Sequence, residues 1–293
     1  MKHLFIINPK AGKGKAVTFI KEIKDYFKDE EEYFIETTER EGHATSLVRE
    51  YVARNDYRVY SIGGDGTLNE VLNGIIGSNS SLAVIPAGTG NDFIKSIMEG
   101  GNHKDILRRT IEGAEEFMDL GKINKKYFIN IASVGFDAAV TQNARHLKQK
   151  PFISGKLAYL FSIFLTMYKF KGIDVDILID GVTIKRRILL IAIANGKYYG
   201  GGMKVAPDAK VTDGLLDICI VNNMSMWRVL RLFPKLIIGT HGEIEEVEFL
   251  KCESILIKGK ESFPINMDGE ILNNNEIHIG VEKQHISIVK PNN

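Results

Sequence analysis

The chain reads as an α/β N-terminal domain built on a mostly parallel sheet, followed by a mostly antiparallel β domain. Three observations predict this. Residues 1 to about 122 alternate short apolar, β-rich runs with helical patterns, the rhythm of a sheet covered by helices on both faces. Three of those runs end in glycine-rich loops. Beyond Lys122 the pattern shifts to closely spaced β-type runs, with Asp180-Gly181 as a tight-turn dipeptide, which suggests an antiparallel sandwich or barrel.

The elements follow in order. Leu4 to Ile7 is a short buried-type strand, followed by Asn8-Pro9-Lys10-Ala11-Gly12-Lys13-Gly14-Lys15. Val17, Phe19, Ile20, Ile23 and Phe27 then mark a helix. The loop lacks the Walker A spacing, but its lysines can meet phosphate charge. Tyr33 to Thr37 is the second strand, and Ala44 to Arg54 a helix with Leu47, Val48, Tyr51 and Val52 on one side.

Tyr57 to Ile62 alternates as a strand and runs into Gly63-Gly64-Asp65-Gly66-Thr67-Leu68-Asn69-Glu70; helical spacing of Leu68, Val71, Leu72, Ile75 and Ile76 begins at Thr67. Glycines between a strand end and a helix start let the backbone approach an anion. Asp65 among them would repel phosphate unless a cation lay between, so the pairing suggests phosphate with magnesium. The strand Leu82 to Ile85 leads into the third loop, Pro86-Ala87-Gly88-Thr89-Gly90-Asn91-Asp92-Phe93, with helical segments expected at Asn91 to Met98 and His103 to Glu112. In open α/β sheets, ligands sit at the carboxyl ends of strands, so the three loops together read as a nucleotide site.

In the second half, strands are expected at Tyr127 to Val134, Val175 to Ile179, Thr183 to Ala194, Leu215 to Val221, Ser254 to Lys258, Phe263 to Met267, Glu276 to Ile279 and His285 to Val289. Two helices interrupt them, at Lys156 to Phe170 and Ser225 to Ile238. Basic residues beside large apolar ones in these helices suit an anionic membrane surface; a core helix with a solvated basic face accounts for them equally. The formal charge of +1 with 26% charged residues, and the absence of a basic-aromatic array, give no sign of nucleic-acid binding. Cys219 and Cys252 lie in apolar runs and read as buried free thiols. They suit a reducing cytoplasm, as does a start with no apolar leader. No apolar run approaches the ~18 residues of a membrane span, so membrane contact would be peripheral, at the inner surface. The oligomeric state stays open, a homodimer included.

The ordered set Asn8-Pro9-x-x-Gly12, Gly63-Gly64-Asp65-Gly66-Thr67-Leu68-Asn69-Glu70 and Pro86-x-Gly88-Thr89-x-Asn91-Asp92-Phe93 resembles the diacylglycerol kinase catalytic family, nearest to its soluble bacterial lipid kinases. Later segments extend the resemblance over nearly the whole chain: Ala206-Pro207-x-Ala209, Asp213-Gly214-x-Leu216 and Asp268-Gly269-Glu270. The Gly-Gly-Asp-Gly-Thr box alone is shared with NAD kinases and similar to phosphofructokinase loops. The resemblance implies an NAD kinase/phosphofructokinase-like first domain over 1–122 and a lipid-binding and catalytic-base β-sandwich over 123–284, with the strand near 285–293 returning to the first. It implies an ATP site at Asn8, Pro9, Lys10, Ala11, Gly12, Thr38, Gly64, Asp65, Gly66, Thr67, Leu68, Asn69, Glu70 and Thr89. On the residues alone, Thr38 is equally a turn threonine, and Glu70 equally a first-turn acid at a helix dipole.

By the same resemblance Glu270 is the proton acceptor, Asp268 an orienting or metal-linked carboxylate, and Asp65 acts through a catalytic magnesium. Read without it, Asp268-Gly269 is first a hairpin turn. A second magnesium is implied at Asp213 with the carbonyls of Lys210 and Leu215; an Asx turn is the alternative there, and Thr212 stands where some relatives carry an acid. The implied activity is ATP- and magnesium-dependent phosphorylation of a lipid hydroxyl, diacylglycerol giving phosphatidic acid. A sphingoid base, another glycerolipid or NAD as acceptor, or a non-catalytic nucleotide-binding regulator, are the rival readings. The Asn8 and Asp92 boxes argue against NAD kinase, and the presence of both Asp65 and Glu270 against a regulator.

Overall fold

The computed structural model describes residues 1–28, 33–98, 105–148 and 155–292, the side chains of 145–148 and 155–160 excepted. Four parallel strands open the chain: β1 (Lys2–Ile7), β2 (Tyr33–Thr37), β3 (Tyr57–Gly63) and β4 (Ser81–Pro86). They lie in the order β2-β1-β3-β4. β1, β3 and β4 are buried along almost their whole length, as strands covered on both faces must be. The cover comes from α1 (Lys15–Phe27), α2 (His43–Val52) and α3 (Asp65–Ile75). Each turns a stripe of three-and-four spacing inward: Ala16, Phe19, Ile23 and Phe27 on α1, and Leu68, Val71, Leu72 and Ile75 on α3. The strand order reverses between β1 and β3, which places the loops after them at a topological switch point.

The last two helices of this half are shorter than expected. α4 spans only Ile94–Ile97 and α5 Ile106–Ile111. The expected start at His103 lies outside the described residues. A strand absent from the sequence reading, β5 (Ala114–Ile123), follows.

The β-rich half contains β6 (Lys126–Phe128), β7 (Ile131–Gly135), α6 (Phe136–Lys148), α7 (Gly155–Lys169), β8 (Ile173–Ile179) and β9 (Val182–Ala194). The short hairpin β10 (Tyr198–Tyr199) and β11 (Met203–Lys204) precedes β12 (Leu216–Asn222), α8 (Met226–Ile238), β13 (Val247–Cys252), β14 (Ser254–Met267) and β15 (Glu270–Lys290). Its pairings with one another are antiparallel. β9 and β14 each pair with β8 along one half and with β7 along the other. The two layers of the sandwich are thus joined by strands that pass between them. Ile177, Ile191, Ile218, Ile257, Phe263 and Ile279 fill the space inside.

Several expected elements change form. Tyr127 to Val134 is two strands, not one, because the amides of Ile129, Asn130 and Ile131 leave the ladder for the Asp268 carboxylate. The segments expected as separate strands at 254–258 and 263–267 are one strand with a register shift, and the same holds for 276–279 and 285–289 within β15. α6 and β13 are additional. Asp180-Gly181 turns β8 into β9 with φ of 48° and 81°, the positive values a two-residue hairpin turn requires. β15 pairs antiparallel with β14 and β5, then parallel with β4 at Ile288 and Val289. Ile286, Ile288 and Val289 pack in the same core as Phe5, Tyr60 and Leu72.

Candidate active site

A cleft of about 710 Å³ opens at the carboxyl ends of β1, β3 and β4. It is lined by all three glycine loops and by Asp268, Gly269 and Glu270 at the β14–β15 turn. Of the residues predicted for the site, Asn8, Lys10, Ala11, Gly12, Gly64, Asp65, Gly66, Thr67, Asn69, Glu70, Thr89, Asp268 and Glu270 line it. Pro9, Thr38 and Leu68 do not. Leu68 is buried in the core, and Thr38 uses its amide to extend the sheet, donating to the Ile7 carbonyl at 2.9 Å.

The glycines let the loops touch one another. A Cβ on Gly88 would come within 2.5 Å of the Gly64 Cα, and one on Gly12 within 2.2 Å of the Ala87 carbonyl oxygen, where φ is also +59°. Asn8 ties the first loop to the second, its Nδ2 donating to Thr67 Oγ1 at 3.0 Å while its Oδ1 accepts from the Lys10 amide at 3.0 Å. Overpacking of this kind costs about 1–3 kcal/mol. Gly88→Ala is therefore expected to part the second and third loops and raise the dissociation constant for a nucleotide by about tenfold or more. Calorimetric titration with ATP, beside a circular dichroism check of the fold, measures it.

Asp65 opens α3 and faces the cleft. Its Oδ1 accepts the Asp92 amide at 2.9 Å, which fixes the third loop against the second. Burial raises its pKa, and the Asp92 carboxylate nearby raises it further, so a cation here would be favourable. Glu70 has a more structural part than expected. Its two carboxylate oxygens accept the amides of Gly42 and Ala44 at 2.9 and 3.1 Å, at the start of α2, while the residue still lines the cleft. Such a carboxylate suits the positive end of α2.

Asp268 is the turn residue the hairpin reading expected, and its carboxylate is also a buried acceptor. Its φ is 46° and that of Gly269 93°, in the two-residue turn from Met267 to Glu270. Its carboxylate accepts the amides of Ile129 at 2.8 Å, Asn130 at 3.3 Å and Ile131 at 2.9 Å, and Asn69 Nδ2 at 3.3 Å. Burial pushes its pKa up to about 6, with the Ile131 and Ile129 amides working against the rise. Glu270 projects from the other side of the turn and pairs with Lys126 Nζ at 2.6 Å. Lys126 and the cleft-lining Glu41 were not legible in the sequence, because neither lies in a motif.

Lys210, Asp213 and Leu215 lie outside the cleft. Asp213 Oδ1 accepts the Leu215 amide at 3.2 Å, an Asx turn, and its Oδ2 pairs with Lys251 Nζ at 2.9 Å. Among the described residues no three His, Cys, Asp or Glu side chains converge as a metal-binding group. Cys219 and Cys252 are buried and free, their thiols pushed up to about 12 by burial.

This arrangement can grip an oligophosphate between three backbone loops and present a carboxylate to whatever reacts with it. Residues 2–123 match the family profile described as diacylglycerol kinase catalytic domain, and residues 130–290 that of the YegS C-terminal NAD kinase beta sandwich-like domain. The chain belongs to the diacylglycerol kinase family. A diacylglycerol kinase of Staphylococcus saprophyticus is 31% identical over 297 residues, covering 98% of this chain and 94% of the relative. One from Bacillus subtilis is 31% identical over 234 residues, 78% of this chain and 76% of the relative. A crystal structure of a putative diacylglycerol kinase from Bacillus anthracis superimposes with a TM-score of 0.76 at 26% identity, covering 99% and 97% of the two chains. Membership of the family makes this kinase a phosphotransferase with an alcohol acceptor, and its two-domain α/β and β-sandwich fold is the family's.

Proposed function

We propose that this chain is an ATP- and magnesium-dependent lipid kinase that phosphorylates the free hydroxyl of diacylglycerol to give phosphatidic acid. The observation that carries the reading is the meeting of Glu270 with three glycine loops in one cleft. Gly64 to Thr67, at the α3 N-terminus, and the Asn8 to Gly12 loop would hold the triphosphate through backbone N–H groups, with Lys10 and Lys13 opposing its charge. Glu270 takes the acceptor proton as the alcohol oxygen bonds to the γ-phosphorus and the bond to the ADP oxygen breaks. Asp268 positions Glu270 by holding the turn and the Ile129–Ile131 segment together. Asp65 is the residue that would hold a catalytic magnesium, and its buried carboxylate beside Asp92 fits one; the metal supplies charge neutralisation on the phosphates. Purified protein incubated with ATP and a panel of diacylglycerol, sphingoid base, other glycerolipids and NAD tests the acceptor. The expected product is phosphatidic acid; transfer to NAD alone would overturn the reading.

A second magnesium on Asp213 and the carbonyls of Lys210 and Leu215 would have to displace the Lys251 ammonium. Magnesium there would compete with the Lys251 ion pair. Lys251→Met is expected to move the magnesium-dependent rise in Tm to lower concentration; an unchanged titration would remove the site.

Contact with the membrane is assigned to α7 and α8. Among the described residues no helix is long and apolar enough to cross a bilayer. α8 has no buried residue, which speaks against the core-helix alternative there: Trp227, Leu230, Phe233, Ile237 and Ile238 are all exposed. Phe161, Phe164 and Tyr168 are exposed on α7; the Lys156 side chain lies outside the described residues. Apolar side chains on such a face suit the headgroup boundary. Arg228 and Lys235 are already paired with Glu246 and Glu243. Trp227→Asp combined with Phe164→Asp is expected to lower vesicle co-flotation about tenfold or more, each apolar side chain being worth ~1.5–3 kcal/mol when buried.

A further inference from the structure

Glu270 has a cation bound to it at the edge of the cleft. Lys126 Nζ donates to its Oε2 at 2.6 Å, while Lys126 itself stands outside the cleft lining. The backbone beneath this lysine is fixed. Lys126 pairs with Ile123 across the turn of Asn124 and Lys125, where Asn124 has a φ of 56°. The next residue, Tyr127, is clamped to α3. Its amide donates to Asn73 Oδ1 at 3.1 Å, and its carbonyl accepts from Asn73 Nδ2 at 3.0 Å. Its ring stacks on His285 with centroids 4.8 Å apart. From Ile129 onward the same segment turns its amides to Asp268.

The side chain is a different matter. Lys126 is 54% exposed, so its ammonium stays in one neighbourhood and is free there to change partner. Solvent screens such a pair and leaves it little effect on stability. Stability therefore does not account for a cation placed on the base.

The movement of charge during transfer does. On the lipid kinase reading Glu270 starts ionised and ends neutral. The acceptor proton moves to it as the alcohol oxygen bonds to the γ-phosphorus and the bond to the ADP oxygen breaks. Its hydrogen bond to the ammonium then loses the acceptor's charge, and with it about half its strength. At the same moment an anionic phosphoryl group appears on the acceptor. A general base lies ~2.6–3.2 Å from the oxygen it deprotonates. Lys126 Nζ is thus within about 8 Å of that oxygen, even when lysine and alcohol use different oxygens of the carboxylate. The ammonium is a compact charge on a flexible four-carbon stem, which spans the gap.

Resting on that reading, we infer that Lys126 is a catalytic residue, one that passes from Glu270 to the transferred phosphoryl group as the base takes its proton. The lysine gives up no proton in this step; only its hydrogen-bond acceptor changes. Before transfer it keeps Glu270 ionised and aimed, and afterwards it holds the product phosphate until release.

The full-length protein is assayed with short-chain diacylglycerol and short-chain phosphatidic acid, both below their micelle-forming concentrations so that no charged surface contributes. Lys126→Met is expected to raise the inhibition constant of phosphatidic acid, and to lower the single-turnover rate, each by about tenfold to a hundredfold, the worth of a hydrogen bond to a charged group. KM for the neutral diacylglycerol and the dissociation constant for ATP should stay at wild-type values. Lys126→Arg keeps the charge and should recover most of both losses. Lys125→Met removes the same charge one residue away on the turn and should leave both near wild type. A purely structural role would move diacylglycerol and phosphatidic acid alike. Wild-type inhibition by phosphatidic acid in Lys126→Met, or an equal loss in Lys125→Met, would overturn the assignment while leaving the kinase reading standing. Phosphatidic acid binding that depends on Lys126, in a wild-type protein that phosphorylates no lipid, would support the phosphate contact and sink the kinase reading instead.

Discussion

Replacing Glu270 with glutamine is expected to lower kcat for lipid phosphorylation by about 10²–10⁴-fold, the usual contribution of a positioned general base, with ATP affinity unchanged. Glutamine keeps the shape and can accept a hydrogen bond, but it cannot take the proton of the attacking alcohol. Stability should hardly move, because the Glu270–Lys126 pair is about half exposed, 36% and 54% for the two side chains. Exposed pairs contribute about 0–1 kcal/mol. A rapid-quench measurement of phospholipid formation, with ATP binding measured separately, distinguishes loss of chemistry from loss of nucleotide. If Glu270→Gln turned over lipid at the wild-type rate, the base would be another group.

Asp268→Ala is expected to act through the fold as well as the site. Its removal leaves the amides of Ile129, Asn130 and Ile131 and the Asn69 carboxamide without their acceptor. Each unsatisfied buried group costs about 1–3 kcal/mol, though neighbouring losses do not add fully. A loss of about 3–5 kcal/mol is a large share of the ~5–15 kcal/mol typical of a domain, so Tm should fall steeply. The pH dependence has a definite sign. The folded pKa of Asp268 is raised to about 6, whereas an unfolded aspartate titrates near ~3.9. Between about pH 4 and 6 the folded state keeps a proton that the unfolded chain has released, so this group's contribution declines as pH rises through that window and is constant above it. The wild-type advantage over Asp268→Asn in denaturant titrations should therefore shrink from pH 4 to 6 and then hold steady. A difference that grows over that interval would mean the carboxylate is held ionised.

The first half of the fold was legible because its signals are local. β1 and β4 carry continuous apolar runs and β3 alternates, and the loops after them carry glycines whose spacing marks the strand ends. β5 escaped notice because Glu115 and Glu116 interrupt its pattern; Glu115 is accounted for only by Arg58, Ser81 and Ser287 in space. α6 was hidden because it follows β7 directly, and its buried side is marked by small residues, Ala138, Val140 and Ala144. In the site, the glycine boxes were readable and the tasks of single carboxylates were not. Glu70 meets α2 amides 26 and 28 residues earlier, and Asn69 meets Asp268 at a separation of 199 residues. No spacing rule reaches that far.

The most direct measurement is the ³¹P NMR spectrum of the product formed from ATP, magnesium and diacylglycerol in anionic vesicles, with ADP quantified in the same sample. One phosphatidic acid per ADP, absent with Glu270→Gln, is the predicted result. ADP without phosphatidic acid, or an equal yield from Glu270→Gln, would contradict a cleft in which this carboxylate hands a lipid hydroxyl to ATP.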